Sequence, residues 1–194
     1  MLRKKLSKFN IILASGSPRR QRFLKELDIP FTIEIKEVNE IYPKHLKAEE
    51  ITDYLADLKS KSFNNLKSND LLITSDTIVW FEKTALGKPK SKKDAFLMLK
   101  KMSGKQHYVY TSISIKSCFF QKIFNDVTVV EFEKFTDEEI NYYLEKFSPY
   151  DKAGSYGIQD WIGLVGVKKI TGSYFNVMGL PVHKLYKELL NITQ

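Results

Sequence analysis

The stretch NIILASGSPRRQRFLKEL, residues 10–27, decides how the rest of the chain is read. It opens as a short apolar strand over 10–14, turns through Ser15, Gly16 and Ser17, and runs on as a helix to Asp28. Phe23, Leu24 and Leu27 fall on one face of that helix. Ser17 stands where an N-cap is expected and Pro18 at the first helical position. Yet Arg19, Arg20 and Arg22 crowd the first turn, where the helix dipole is positive and carboxylates are favoured. Two readings account for them. Either the arginines point into water, at a cost of roughly a few tenths of a kcal/mol each, or an anion lies against the turn and the arginines share it. Small residues in a strand–turn–helix junction expose backbone N–H groups beside the positive helix end, which suits phosphate. Forked guanidinium donors suit it equally. The stretch is not a P-loop, because the G-x-x-x-x-G-K spacing is absent.

Working outward, strand and helix alternate. Residues 31–35 alternate as a strand, and Ile51, Leu55 and Leu58 repeat at helical spacing across 47–63. DLLITSDTIVWF, residues 70–81, is a β-like run with a polar centre, and Ala95, Phe96 and Leu99 mark a helix over 92–102. HYVYTSISIKSCFF (107–120) and KIFNDVTVVEFEKF (122–135) alternate as long antiparallel strands. Thr136 and Glu139 form a capping box for a helix to Lys146, and an amphipathic helix begins at Pro181. The pattern predicts an α/β fold with a mixed sheet flanked by helices. No repeat or Pro-rich linker marks a boundary, so residues 1–194 read as a single domain, with 1–9 a basic N-terminal extension.

A hydrophobic content of 43% with 28% charged residues is ordinary for a globular chain and excludes wholesale disorder. The 31 Lys and Arg against 23 Asp and Glu give a net charge of +8. That excess points to an anionic partner, whether nucleic acid, a membrane surface or a phosphorylated small molecule; solubility accounts for it equally well. Cys118, the single cysteine, cannot form an intrachain disulfide, which fits a reducing cytosol where a buried Cys packs as a small hydrophobe. The apolar run at 11–14 is too short for a secretory signal. No stretch approaches the ~20 apolar residues that span a bilayer. A soluble cytoplasmic protein, with no membrane partner, is expected. His45, His107 and His183 lack metal-ligand spacing, so no structural zinc is expected.

Asp76 lies between Leu71-Leu72-Ile73 and Ile78-Val79-Trp80. A carboxylate inside an apolar strand is expensive unless it is paired, hydrogen-bonded or metal-bound. The alternative is a turn at Thr74-Ser75-Asp76 joining two short strands. SPYDKAGSYGIQDWIG, residues 148–163, sets Asp151, Lys152 and Gln159 among three glycines, an elaborate loop of the kind that carries function or else packs on its own aromatics. Lys59 borders the buried face of the 47–63 helix one turn beyond Leu55; Lys61 is an equal candidate by spacing, and Lys88 falls in a turn.

These blocks, in this order, resemble the Maf family of nucleoside triphosphate pyrophosphatases: LASGSPRR (13–20), VNE ending at Glu40, DTIV (76–79), GKP (87–89), DKAGSYGIQ (151–159) and GSYFNVMGLP (172–181). The resemblance covers about residues 10–190. It implies two lobes of mixed α/β structure around a central cleft, related to inosine-triphosphate pyrophosphatase. It further implies a homodimer and a house-cleaning hydrolase that splits the triphosphate into monophosphate and pyrophosphate with a divalent cation, Mg²⁺ or Mn²⁺. By the same resemblance Asp76 is the general base or metal-orienting carboxylate, and Ser15, Ser17, Arg19 and Arg20 form the phosphate loop. Lys59, Lys88 and Lys152 are further phosphate-binding positions, and Glu40, with Asp151 as a weaker candidate, joins Asp76 as a metal ligand. Arg19, Thr77 and Gln159 tune substrate choice, and Thr77 with Gly-Ile-Gln looks like the dTTP/UTP branch. The chain departs from the family's pattern at Ser60, at Ser112 and at Asp160. The competing readings are a nucleic-acid-binding protein and a nucleotide-sensing, non-catalytic regulator of cell division.

Overall fold

The computed structural model describes residues 2–193. Its elements follow the alternation: α1 Leu2–Lys5, β1 Asn10–Leu13, α2 Pro18–Glu26, β2 Thr32–Ile33, α3 Glu49–Lys61, β3 Asp70–Phe81, β4 Thr84–Leu86 and α4 Lys92–Met102. Then come β5 Gln106–Lys116, β6 Gln121–Phe132, α5 Asp137–Phe147, α6 Trp161–Gly166, β7 Val167–Thr171, α7 Tyr174–Val177 and α8 Val182–Ile192. Seven strands form one mixed sheet in the order β2-β1-β3-β5-β6-β7, with β4 paired to β3 off this path. β1 runs parallel to β2 and β3, as α-helical crossovers require; β4 is antiparallel to β3 and β7 to β6. The mixed α/β architecture expected from the sequence is thus present.

The chain divides into two compact units. The first holds residues up to Asp76, Thr111–Asp126 and the stretch from Gly179; the second holds Thr77–Tyr110 and Val127–Met178.

In the first unit Leu13, Leu24, Leu71 and Ile73 are fully enclosed, and Ile12, Leu72 and Phe63 form a cluster extended by Ala14 and Leu66. The basic start of the chain is part of this packing rather than an appendage. Leu2 and Leu6 are buried, α1 lies against α8, and the intervening Arg3, Lys4 and Lys5 face water. Cys118 departs from expectation: it is exposed in the four-residue turn 117–120, which Ser117 closes by donating its N–H to the Phe120 carbonyl at 2.8 Å. A reversing turn leaves no interior for the thiol to fill.

In the second unit α5 carries the expected capping box, with Thr136 Oγ1 accepting from the Glu139 N–H at 3.2 Å and Glu139 Oε2 from the Thr136 N–H at 2.7 Å. Its core includes an imidazole. His107 is fully buried, its Nε2 2.7 Å from the Tyr156 hydroxyl and its ring against Phe132 at 4.7 Å, while Nδ1 has no partner. Burial pushes its pKa down to about 3, whereas in the unfolded chain it titrates near ~6.5. The unfolded state therefore binds the extra proton first as pH falls, and stability is lost from the unfolded pKa down to the folded one. One proton corresponds to about 1.4 kcal/mol per pH unit across that window. Urea unfolding at pH 7, 6, 5 and 4 should show His107→Gln with a slope shallower than wild type by about that amount; parallel slopes would exclude the assignment.

Candidate active site

Parallel pairing decides where the chemistry collects. Leu13 ends β1 opposite Ile73 of β3, and Ala14 donates its N–H to the Ile73 carbonyl at 2.9 Å. The turn into α2 therefore leaves the carboxyl end of β1 beside the polar centre of β3, the end of parallel strands where α/β sheets bind ligands. β3 runs unbroken from Asp70 to Phe81 with residues 70–76 all buried, so the alternative of a turn at Thr74-Ser75-Asp76 is excluded.

The turn is braced from within. Ser17 N–H donates to Ser15 Oγ at 3.3 Å and Gln21 Nε2 to the Ser15 carbonyl at 3.2 Å, while the Ser17 side chain, at the N-cap position, makes no capping bond. The three arginines of the first helical turn separate in role. Arg22 pairs with Glu26 one turn on, at 3.3 Å. Arg19 is half-buried. Arg20 folds back: Nε donates to the Gly179 carbonyl at 2.8 Å, and Nη1 to the Ser75 carbonyl at 2.9 Å and to Ser15 Oγ at 3.4 Å. Burial pushes the Arg20 guanidinium down to about 10, against the pull of Asp76, with Arg19 adding to the push and Glu40 opposing it. The crowding at the helix start is thus relieved in part by the protein's own carbonyls and by Glu26, and not by an anion alone.

Asp76 meets its cation through α3. Thr74 Oγ1 donates to the Ala56 carbonyl at 2.7 Å, which fixes β3 against α3 three residues before Lys59. Two residues along the same strand face, Asp76 Oδ1 accepts from Lys59 Nζ at 2.6 Å, and Glu40 Oε1 lies 3.1 Å from that same Nζ. The side chains of Asp76 and Lys59 are 10% and 18% exposed, that of Glu40 53%. Burial pushes the Asp76 carboxyl above its ordinary range, against the pull of Lys59 and then Arg20, with Glu40 adding to the rise. Lys61, the equal candidate by spacing, is turned to solvent and paired with Asp57 at 2.6 Å.

The remaining predicted residues belong to the second unit. Thr77 continues β3 and is half-buried, and Lys88 is exposed. Lys152 Nζ lies 2.8 Å from Asp151 Oδ1 and 4.0 Å from Asp160 Oδ2. Gln159 is half-buried with its Oε1 enclosed and without a partner, a donor-seeking oxygen held ready. The loop owes its shape to Tyr143 and Asp160. Tyr143 of α5 donates to Asp160 Oδ2 at 2.8 Å and accepts from the Gly157 N–H at 3.0 Å. A Cβ at Gly157 would stand 2.5 Å from Asp160 Oδ2 and 2.9 Å from Gln159 Nε2, so a larger residue there would push both side chains aside. Asp160, a departure from the family pattern, thus anchors the segment carrying Gln159. Ser112, another departure, is buried between Thr52 Oγ1 and Asp53 Oδ1, each at 2.6 Å. Tyr143 reads in sequence only as a core aromatic, and the acceptor carbonyls of Ser75 and Gly179 carry no sequence signal at all.

Among the described residues no three His, Cys, Asp or Glu side chains gather as a metal nest. Two carboxylates, Asp76 and Glu40, do converge on one ammonium, and a pair of that kind matches how Mg²⁺ is held, by one or two protein carboxylates with phosphate oxygens and water completing its shell.

A protein from Flavobacterium psychrophilum named dTTP/UTP pyrophosphatase is 56% identical over 194 residues, covering all of both chains. One of the same name from Flavobacterium johnsoniae is 54% identical over 99% of this chain and all of its own. Among solved structures, a HAM1 protein from Coxiella burnetii matches 94% of this chain and 99% of its own with a TM-score of 0.51 at 13% identity, and the Ham1 protein of Staphylococcus aureus does so with a TM-score of 0.50 at 17%. These last two share the fold. The family model described as Maf-like protein matches residues 10–192, which take in the Ser15–Arg20 turn, Asp76 with its lysine, and the Gln159 loop, and the chain belongs to that family.

Proposed function

We propose that the protein hydrolyses dTTP and UTP to the monophosphate and pyrophosphate. The observation that carries this reading is Asp76, a carboxylate enclosed in β3 and held 2.6 Å from Lys59 beside the Ser15–Ser17 turn. Relatives at 54–56% identity named dTTP/UTP pyrophosphatase support the substrate. Asp76 takes the proton of a water attacking the α-phosphorus, and a carboxylate whose pKa burial has raised is a stronger base for that task. The turn N–H groups, Arg19 and Lys59 bind the phosphates and stabilise the charge that grows on departing pyrophosphate. Asp76 and Glu40 would hold a divalent cation, which would supply Lewis-acid charge to the phosphate oxygens. Asp151 pairs with its neighbour Lys152 and orients that lysine. Thr77 and the unpartnered Gln159 Oε1 read the edge of the pyrimidine, and a base that cannot meet that oxygen leaves it buried and unsatisfied. On the same reading the enzyme is a cytoplasmic homodimer. No described helix is long and apolar enough to cross a membrane.

The test is pyrophosphate release from a panel of triphosphates with Mg²⁺, Mn²⁺ or chelator. dTTP and UTP should turn over at least ~100-fold faster than purine triphosphates, the discrimination a hydrogen-bonding site supplies, and chelator should abolish the reaction. Equal rates for purines would overturn the base assignment. Nucleotide binding without release would favour a sensing regulator, and steeply salt-dependent affinity for DNA or RNA a nucleic-acid-binding protein.

A further inference from the structure

We infer that Lys59 occupies, in the nucleotide-free protein, the place a divalent cation must take, so that the cation enters only together with the triphosphate. This inference rests on the metal-dependent reading above and deepens it. Lys59 Nζ lies 2.6 Å from Asp76 Oδ1 and 3.1 Å from Glu40 Oε1, so one ammonium already pairs with both carboxylates that would hold the cation. Arg20, bonded through Nη1 to the carbonyl of Ser75, is a second positive charge acting on Asp76. The two carboxylates are thus matched by at least as many cations, Lys59 and Arg20 with Arg19 beside them, and a free divalent ion meets a site with no net negative charge to attract it. An ammonium paired with Asp76 Oδ1 and Glu40 Oε1 competes for those oxygens with a cation seeking Mg²⁺–oxygen bonds of ~2.0–2.1 Å, and repels it. Displacing Lys59 alone would strand its charge, because its side chain is only 18% exposed.

A triphosphate removes that obstacle. Its oxygens are acceptors to which the flexible four-carbon stem of Lys59 can swing, releasing Asp76 and Glu40 as the cation arrives. Glu40 stands in the irregular segment between β2 and α3, with its side chain half in water, and can follow the cation. Lys59 is thus a positioning residue for the cation and couples it to substrate. Coupling of this kind is reciprocal: whatever factor nucleotide adds to cation affinity, the cation adds to nucleotide affinity.

Mn²⁺ titration of the protein, read from the electron paramagnetic resonance signal of free Mn²⁺, tests this without any turnover. Without nucleotide, Lys59→Met should bind Mn²⁺ at least ~10-fold more tightly than wild type, while Lys59→Arg, which keeps charge and donors, should stay as weak as wild type. Adding the non-hydrolysable α,β-methylene analogue of dUTP should tighten Mn²⁺ binding at least ~10-fold in wild type and far less in Lys59→Met. Equal Mn²⁺ affinity in wild type and Lys59→Met, or no tightening by the analogue in wild type, overturns the inference. If Lys59→Met fails to melt cooperatively, Lys59→Gln replaces it with the same expected gain. Pyrophosphate release by wild type, assayed separately, keeps the two readings apart: its absence overturns the pyrophosphatase, whereas its presence with equal Mn²⁺ binding overturns only the role of Lys59.

Discussion

Replacing Asp76 with Asn should lower turnover by about 10²–10⁴, the range general-base catalysis supplies, while the protein stays folded. The substitution keeps the shape of the side chain and removes only its charge and basicity. That charge is held in β3 at a desolvation cost, as the upward push on its pKa records, so the neutral amide is no harder to bury. Lys59 keeps Glu40 at 3.1 Å and is not left with an uncompensated charge. Stability should therefore change by no more than about 1–2 kcal/mol, or a few degrees in Tm. The pH profile adds an independent mark. With Asp76 as the base, wild-type activity should be lost as falling pH protonates it. The residual rate of Asp76→Asn should be flat across that acid limb. Near-normal turnover, measured as pyrophosphate released from dTTP, would remove Asp76 from the chemistry.

The parts of this site legible in sequence are those whose signal is local. The junction at 10–27 announces itself because apolar spacing changes period at Ser15-Gly16-Ser17, and the capping box at Thr136 and Glu139 is complete within four residues. Asp76 was conspicuous but ambiguous, since three polar residues in succession fit a turn as well as a strand. The decision rests on partners far away in sequence, the Ala56 carbonyl for Thr74 and the Arg20 guanidinium for Ser75. Lys59 and Lys61 are two residues apart on one helix and equally spaced from the core; Asp57, one turn before Lys61, claims it and leaves Lys59 for Asp76. β4 went unread for a different reason. Its hairpin turns on Glu82 and Lys83, both at positive φ, without the Asn-Gly or Asp-Gly pair that announces such a turn. Resemblance points to Gln159, but its unpartnered oxygen and the Tyr143–Asp160 brace beneath it are tertiary facts that no spacing encodes.

Arg20 gives the second large expected effect, and here charge and shape can be separated. As a phosphate ligand it would act by its charge. Its geometry shows a forked clamp on protein acceptors instead, with Nε on the Gly179 carbonyl and Nη1 on the carbonyl of Ser75, the residue before Asp76. Arg20→Met should leave both carbonyls short of a charged donor, at about 1–3 kcal/mol for each acceptor that water fails to reach. The backbone carrying Asp76 would be free to shift, and a misplacement of about 1 Å costs on the order of 10²-fold in rate. Arg20→Lys is the deciding variant. A lysine restores the positive charge near the phosphates but, as a point donor, cannot bridge two carbonyls in the plane of a guanidinium. KM for dTTP should return close to wild type in Arg20→Lys while kcat stays ~10²-fold low. Recovery of both constants would show that charge alone matters and that the clamp is incidental. A loss of KM with kcat intact would return Arg20 to uniform binding of the phosphates, since a group that holds ground state and transition state equally changes affinity without changing turnover.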